Sequence, residues 1–143
     1  MGYDVYSRLG DAKRAMDFAR KYEYNWMFDK ESNFKGDERV YYRVNIWGMG
    51  TIRQYLAEVA SAQNQMEELD PILKKFSWND GDWVTIQECT FLADLIEFSP
   101  QDVKDLAAEA VAEDGDTEGL NKGLAEFVEY LRICAELEGC EVY

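Results

Sequence analysis

Three carboxylates lie close together in the segment NDGDWVTIQEC, residues 79–89. Asp80 and Asp82 flank a glycine, Glu88 follows, and Asp94 comes a few residues later. Two carboxylates can serve as general acid and general base, and carboxylate oxygens are the ligands that Mg²⁺ prefers. This segment is therefore the first candidate for catalytic or metal-binding chemistry.

Turn and cap signals account for the same carboxylates. Residues 79–82, Asn-Asp-Gly-Asp, are of the types that favour left-handed backbone and Asx turns. Thr85 and Glu88 have the T-x-x-E spacing of a capping box, in which each side chain accepts from a free backbone N–H at a helix start. Apolar residues then recur at three- and four-residue steps. We therefore predict a turn followed by a helix, with no catalytic residue and no metal site.

Two further motifs match known ligand-binding patterns only in part. DGDTEGLNKGLA, residues 114–125, places acids at the first, third and fifth positions of a calcium loop, but Ala125 stands where the bidentate glutamate belongs. GMGTIR, residues 48–53, begins like a dinucleotide fingerprint, but Arg53 occupies the third glycine position. We interpret them as a helix start and a turn, and we predict no bound cofactor.

The chain contains no histidine and three cysteines, Cys89, Cys134 and Cys140. The lack of histidine removes the usual general base, the Ser-His and Cys-His nucleophile pairs and the commonest zinc ligand, so hydrolases of those kinds are largely excluded. An odd number of cysteines without CxxC spacing favours reduced, buried thiols over a disulfide framework. A bridge between Cys134 and Cys140 is the alternative.

The segment VYYRVNIW, residues 40–47, alternates as a strand does. One face would carry Val40, Tyr42, Val44 and Ile46, and the other Tyr41, Arg43, Asn45 and Trp47. An aromatic and basic strand face is a candidate ligand surface. The alternative, which we favour, is a second buried face covered by helices.

Charge is distributed unevenly along the chain, whose formal net charge is -14. Residues 1–66 hold nine acidic and ten basic residues, whereas residues 67–143 hold twenty acidic and five basic ones. Within the acidic half, one helix face is predicted to carry a row of four acids: Asp102, Asp105, Glu109 and Glu113. Such a field attracts a basic protein surface and repels nucleic acid and anionic membranes, so we predict neither of the latter as a direct partner.

Hydrophobic periodicity predicts one α+β domain over residues 1–143, with about five helices packed on a small sheet of short strands that brings the termini together. Strands are predicted at 3–6, 40–46 and, after a helix-ending Gly139, 140–143. Helices are predicted at about 12–24, from the turn at residues 48–50 to about 69, after Thr85, after Pro100, and at 117–138. Pro71 would end or restart the second helix, and KKFSW, residues 74–78, would be extended.

The helix after Pro100 is predicted to be two-sided. Ser99 would cap its N-terminus and Pro100 would be its first residue. Its inward face would carry five apolar residues: Val103, Leu106, Ala107, Ala110 and Val111. The acidic row would then point to solvent.

The start of the chain, MGYDVYSRLGD, lacks the basic and apolar regions of a secretory signal, and no apolar run approaches the length that spans a bilayer. We therefore expect a cytoplasmic protein without a membrane partner.

Three segments resemble a family of small uncharacterised proteins of actinobacteria and their phages. They are the initial MGYD, YYRVNIWGM at residues 41–49, and KFSWNDGDWVTIQEC at residues 75–89. Members of that family often carry proline after the Val-Thr pair, where this chain has Ile86, and a longer middle region. The resemblance implies a bacterial or phage origin and implies no activity.

These observations lead us to expect a non-enzymatic intracellular interaction protein whose acidic C-terminal half binds a basic protein surface. Phage-encoded inhibitors, DNA mimics and immunity proteins act in this way. The alternative is a small ligand-binding domain or carboxylate-dependent enzyme that uses the face of Tyr41, Arg43, Asn45 and Trp47. A structural protein that forms oligomers is a third possibility.

Overall fold

The computed structural model describes residues 2–28, 31, 39–77 and 80–143. Its strands are β1 (Gly2–Ser7), β2 (Tyr41–Asn45), β3 (Asp82–Val84) and β4 (Cys140–Val142). Its α-helices are α1 (Ala12–Lys21), α2 (Ile46–Ala62), α3 (Met66–Lys75), α4 (Ile86–Phe98), α5 (Gln101–Val111) and α6 (Thr117–Glu136). Short 3₁₀ turns lie at Asn25–Met27 and Glu113–Gly115. The predicted α+β class is confirmed.

The four strands form one antiparallel sheet in the order β2-β1-β4-β3. Val5 of β1 lies opposite Tyr42 on one side and Val142 on the other, so the first strand joins β2 to the last strand. The predicted pairing of the two termini is confirmed. Strand β3 was not predicted, because its three residues follow turn signals and extend only through pairing with β4.

One face of the sheet is buried under the helices. In β1, Tyr3, Val5 and Ser7 are buried, while the intervening residues are partly exposed. Helix α6 is the central helix, since it packs on α1, α4 and α5 and also contacts β4. The hydroxyl of Tyr130 in α6 donates to the carbonyl of Val40 (3.0 Å). This hydrogen bond ties the buried helix to the start of β2.

The predicted capping box at the start of α4 is confirmed. The backbone N–H of Glu88 donates to Thr85 Oγ1 (3.2 Å), and the backbone N–H of Thr85 donates to Glu88 Oε1 (3.0 Å). Two N–H groups that no helical carbonyl could reach are thereby satisfied.

The second predicted helix divides in two, which gives six α-helices rather than five. Helix α2 ends at Ala62, Asn64 has a φ of 57°, and α3 begins at Met66. Pro71 neither ends nor restarts a helix but lies inside α3. Burial of Leu69 and Ile72 beside it explains why the helix continues, although proline removes one backbone hydrogen bond. The prediction that KKFSW is extended is wrong for its lysines, because Lys74 and Lys75 form the last turn of α3. Trp78 lies outside the described residues.

Helix α5 faces the core differently from the prediction. Leu106 and Ala110 are exposed, whereas Ala107 and Ala108 are buried. Helix α5 packs chiefly on α2, and small side chains let two helices approach closely, so the alanine pair decides the orientation. This orientation of α5 leaves Leu106 exposed to solvent.

The predicted cap of α5 is also wrong. The Ser99 hydroxyl donates to the carbonyl of Leu95 (2.6 Å) and accepts from Gln63 Nε2 (2.8 Å), so Pro100 occupies the N-cap position without a side-chain hydrogen bond. Buried serine hydroxyls often bond back to the preceding helical turn, and that bond competes with capping.

Two predicted helices are shorter than expected. Helix α1 ends at Lys21 rather than near residue 24, because Glu23 adopts a φ of 60°. Helix α6 ends at Glu136 rather than 138, with Gly139 at a φ of 92° just before β4. Glu138, with a φ of 66°, occupies the C′ position that was predicted for Gly139. Gly139 is the next residue, and its backbone N–H donates to the carbonyl of Cys134 (2.7 Å).

The three cysteines are buried and free, as the reduced-thiol interpretation predicted. Cys89 Sγ and Cys140 Sγ lie 4.0 Å apart. Hydrogen bonds with Cys134 and Cys89, together with burial, raise the pKa of the Cys140 thiol well above its usual range. The protonated thiol is therefore the stable form, and it packs as a small apolar side chain.

Within the described part of the chain, no helix combines the length and the apolar composition that crossing a bilayer requires.

Replacing Gly139 by alanine tests the junction between α6 and β4. An added Cβ would lie 2.1 Å from the Val84 carbonyl oxygen, at a positive φ. We expect the Gly139→Ala variant to lose about 2 to 3 kcal/mol in urea unfolding. Gly115→Ala is the control, because its φ is 74° and its Cβ would meet nothing within 4 Å. The Gly115→Ala variant should lose only about 1 kcal/mol. Equal losses of stability in the two variants would show that close contact between Gly139 and β3 does not matter for stability.

Candidate functional site

The acidic row is exposed over its whole length. Asp102, Asp105 and Glu109 project from α5, and Glu113 lies in the 3₁₀ turn that follows. Among the described residues none of the four forms an ion pair, and their carboxylates accept one hydrogen bond, from Gln101 Nε2 to Asp105 Oδ1 (2.8 Å). The row therefore presents charge that the fold itself leaves largely uncompensated.

Leu106 lies among these carboxylates. Its side chain is 68% exposed, and its position falls on the same side of α5 as Asp102 and Glu109. The prediction had placed this leucine in the core. An apolar side chain ringed by charge resembles a small interface, in which a dry centre is surrounded by a polar rim.

A cavity of about 340 Å³ opens where the N-termini of α2 and α6 meet; we call it the glycine cavity. Gly48, Gly119 and Gly123 form part of its wall. Asn45 and Glu113, from the two predicted sites, both line it, so the structure brings one member of each set together. The half-buried Tyr42 also lines the cavity, and its pKa is raised to about 12 by burial and by Glu126.

Both helix starts at the glycine cavity are already capped. Asn45 Oδ1 accepts from the backbone N–H of Gly48 (2.6 Å), and Asp116 Oδ1 accepts from that of Gly119 (2.9 Å). The Asn45 cap also explains why β2 ends there. Trp47, predicted on the strand face, has its backbone in α2, and its side chain lies outside the described residues.

A second cavity of about 340 Å³ lies between α5, α6 and the end of α4; we call it the tyrosine cavity. Tyr24 and Tyr55 line it, and Asp105 of the acidic row stands on its wall. Leu124 separates it from the glycine cavity, since it lines both. Sequence reasoning missed this site because its residues come from distant segments without a common motif.

The outer sheet face, which we define by the exposed side chains of the four strands, includes Tyr41, Arg43 and Asn45. The buried alternative for this face is wrong, because the described helices pack on the other side of the sheet. Aromatic side chains extend it across the neighbouring strands. Tyr6 stacks on Tyr41 with ring centroids 5.0 Å apart, and Tyr143 meets Tyr6 edge-on at 6.0 Å.

Arginines cover parts of this aromatic surface. Arg39 lies 5.1 Å from the Tyr6 ring and Arg8 lies 4.1 Å from the Trp83 ring. Each arginine of the face has an acidic partner: Arg8 and Arg39 contact Glu141, and Arg43 Nε lies 3.9 Å from Asp4 Oδ1. The face is therefore aromatic with balanced charge, unlike the acidic row.

Two of the four carboxylates in residues 79–94 form ion pairs within the fold. Lys75 Nζ lies 2.7 Å from Glu88 Oε1, and Arg132 lies 2.8 Å from Asp94 Oδ1. Asp82 opens β3, Asp80 is exposed, and Asn79 of the predicted turn lies outside the described residues. Among the residues that the structure describes, no group of three or more cysteine, aspartate and glutamate side chains is placed to hold a metal ion.

No protein-family model, curated protein or solved structure matches this chain. Function must therefore be argued from the acidic row, the two cavities and the outer sheet face.

The Glu88 contacts predict a pH dependence of stability. Burial raises the pKa of Glu88, but hydrogen bonds from Lys75 and the Thr85 backbone outweigh it and lower the pKa below 4.5. The stabilisation is therefore present above pH 4.5 and is lost as the pH falls through the folded-state value. Glu88→Gln, which keeps a capping acceptor, should lose about 1 to 2 kcal/mol in urea unfolding at pH 7.

This difference between wild type and Glu88→Gln should shrink as unfolding is repeated at pH 5, 4 and 3. Asp80→Asn, which removes an exposed carboxylate from the same segment, controls for the change in net charge. A difference that stayed constant down to pH 3 would show that the Lys75 pair does not stabilise the fold.

Proposed function

We propose that this protein is a non-enzymatic, intracellular interaction protein whose acidic row binds a basic surface on another protein. The observation that carries the proposal is the set of four exposed carboxylates, on and just beyond α5, that make no ion pair among the described residues. Elsewhere in the acidic half, Glu88, Asp94 and Glu141 each have a basic partner, whereas Glu67 and Glu68 are exposed and form no ion pair among the described residues. The row differs from those acids in its alignment along one helix around the exposed Leu106, and this alignment supports an external partner.

The negative charge of the row and the exposure of Leu106 both favour a basic protein surface as the partner. A surface of concentrated negative charge accelerates association with a positive one, in a salt-dependent way. Leu106 supplies an apolar centre that a partner would dehydrate. From Asp102 to Glu109 the row runs for about 10 Å along the helix, so a partner needs only a small basic patch to cover it.

Such a surface suits an inhibitor, a DNA mimic or an immunity protein. Each of these occupies a basic groove or active site on its target, and a phage or bacterial origin agrees with the resemblance of the MGYD, YYRVNIWGM and KFSWNDGDWVTIQEC segments. A mimic of nucleic acid needs regularly spaced negative charge, which a carboxylate row on a rigid helix supplies.

Neutralising the row tests this function. The tagged protein would first capture its partner from nuclease-treated extract of the native host, with elution by a salt gradient. We expect the variant Asp102→Asn, Asp105→Asn, Glu109→Gln and Glu113→Gln to bind that partner at least about tenfold more weakly and with less salt dependence.

A matched control removes four other exposed acids: Asp17→Asn, Glu58→Gln, Glu67→Gln and Glu68→Gln. It carries the same net charge as the row variant, so it should bind nearly as wild type does. Equal binding by the row variant and wild type, or equal losses in both variants, would show that the row is not the interface.

A second candidate function is the binding of a planar small molecule on the outer sheet face. The observation that favours it is the exposed stack of Tyr41 on Tyr6, with Arg39 beside the ring. The Tyr41 hydroxyl donates to Asp4, and this hydrogen bond raises the pKa of Tyr41. A ligand ring would extend the stack, with Arg43 and Asn45 at its edge; a carboxylate-dependent reaction would use Asp4.

Thermal unfolding with a panel of nucleotides and aromatic acids tests the second candidate. A true ligand at about ten times its dissociation constant should raise the melting temperature by several degrees. The shift should disappear in Tyr41→Leu and persist in Tyr22→Leu, a control at an exposed tyrosine of another surface. A shift that both variants retain, or none with any compound, would count against the face as a ligand site.

A further inference from the structure

The tyrosine cavity is lined by Tyr55, a buried residue whose hydroxyl has no hydrogen-bond partner among the described residues. The Tyr55 side chain is only 2% exposed, and it lines the cavity together with Asp105. Burial and the nearby Asp105 carboxylate raise its pKa, so the phenol stays neutral at physiological pH. Among the described residues, no hydrogen bond to this hydroxyl is found.

The same hydroxyl must open on the cavity. In the described part of the chain, every fully buried side-chain nitrogen or oxygen has a hydrogen-bond partner. The Tyr55 oxygen has none, so it reaches accessible surface, and the cavity is the surface that this residue lines. A phenol that is otherwise buried and aims an unused donor and acceptor into a cavity is an unusual arrangement, since buried polar groups are normally paired.

The lining of the tyrosine cavity favours a cation. Its carboxylates are Glu97, Asp105 and Glu129, against one lysine, Lys104, whose Nζ donates to the backbone carbonyl of Glu97 (3.0 Å). Arg132 contacts Glu97 from outside the lining (3.4 Å). Burial and then the Glu129 charge raise the pKa of Tyr24, while Arg132 opposes them.

The floor of the cavity favours an alkyl chain next to that cation. Ile96, Leu124 and Val128 line it and are buried. A volume of about 340 Å³ is near the lower end of small-ligand sites, which are about 300 to 1,000 Å³. Lysine-like chains rest their methylene stems on apolar surface and keep the charged end at polar groups.

We propose that the tyrosine cavity binds an alkylammonium group, with the ammonium between the Tyr55 hydroxyl and the Asp105 carboxylate and the chain against Ile96, Leu124 and Val128. The ammonium donates to both oxygens, and the tyrosine rings add cation–π attraction. The group is carried by a lysine of a partner protein or by a free diamine. If the ammonium belongs to a lysine of a partner protein, the inference rests on the proposed function, because Asp105 belongs to the acidic row.

The test is a titration of ¹⁵N-labelled protein with pentane-1-amine, followed by amide chemical shifts, with neutral pentan-1-ol as the control compound. Shifts should concentrate around Tyr55, Asp105 and Leu124. Tyr55→Phe removes only the unpartnered hydroxyl, so the fold should survive, and amine binding should weaken about tenfold. Tyr22→Phe, whose exposed side chain does not line the cavity, should bind as wild type does.

Charge is tested by Asp105→Asn, which should also weaken amine binding, against Glu67→Gln, an exposed acid of α3 that should leave it unchanged. The proposal is overturned if pentane-1-amine produces no localised shifts, or if Tyr55→Phe binds it as tightly as wild type. Equal binding of the alcohol would likewise overturn it, because the site would then recognise only the alkyl chain.

Two further probes decide the source of the ammonium. Nα-acetyl-lysine N-methylamide represents a lysine on a partner chain, and 1,5-diaminopentane represents a free diamine. Tighter binding of the lysine compound, together with a loss of partner binding in Tyr55→Phe, assigns the site to a partner's lysine. Tighter binding of the diamine, with partner binding unaffected, assigns it to a free diamine.

The outcomes also separate this inference from the proposed function. The variant Asp102→Asn, Glu109→Gln and Glu113→Gln keeps Asp105. If it loses no partner binding while Tyr55→Phe loses amine binding, the cavity stands and the acidic row fails. If it loses partner binding while no amine binds in the cavity, the row stands and the cavity fails.

Discussion

The pairing of the first strand with the last is the constraint on which the rest of the structure depends. Strand β1 has β2 on one side and β4 on the other, so the weakly charged first half and the acidic second half share one sheet. Its inward residues Tyr3, Val5 and Ser7 are buried beneath the helices, which leaves the other face of the sheet open. Helix α5 packs chiefly on α2 and α6, and it therefore forms an outer layer of the helical side. The two surfaces therefore differ in charge: arginines pair with carboxylates on the sheet, whereas the acids of α5 form no ion pair among the described residues.

Local signals in the sequence predicted the elements that local interactions determine. The capping box of Thr85 and Glu88 depends on neighbouring residues and was confirmed, as were the strands at 3–6 and 140–143, whose alternating residues mark them before they pair. The sequence did not predict β3, which exists through its pairing with β4, nor the orientation of α5, which the packing of Ala107 and Ala108 on α2 determines. Exposure of the acidic row was predicted, whereas the tyrosine cavity was not, because Tyr24, Tyr55 and Asp105 meet only in the folded chain.

The acidic row and the two cavities adjoin one another at α5 and the turn that follows it. Glu113 lines the glycine cavity, Asp105 lines the tyrosine cavity, and Leu124 lies between the two. Other acids of the second half are used within the fold: Glu88 by Lys75 and Thr85, Asp94 by Arg132 and Glu141 by Arg39. Glu67 and Glu68 are also exposed without an ion pair among the described residues, so the row is distinguished by its alignment along α5 around Leu106. In the proposed function, that aligned surface is what a basic partner would contact.

Carbodiimide cross-linking of the native complex tests the central claim most directly, because it joins a carboxylate to an amine only where the two are in contact. The protein and its partner from host extract would be cross-linked, digested and mapped by mass spectrometry. The account predicts cross-links from Asp105, Glu109 and Glu113 to lysines of one basic partner, and their loss at high salt. Cross-links confined to other exposed acids, such as Glu67 or Glu136, or to Asp4 of the outer sheet face, would contradict the assignment of the interface to the acidic row.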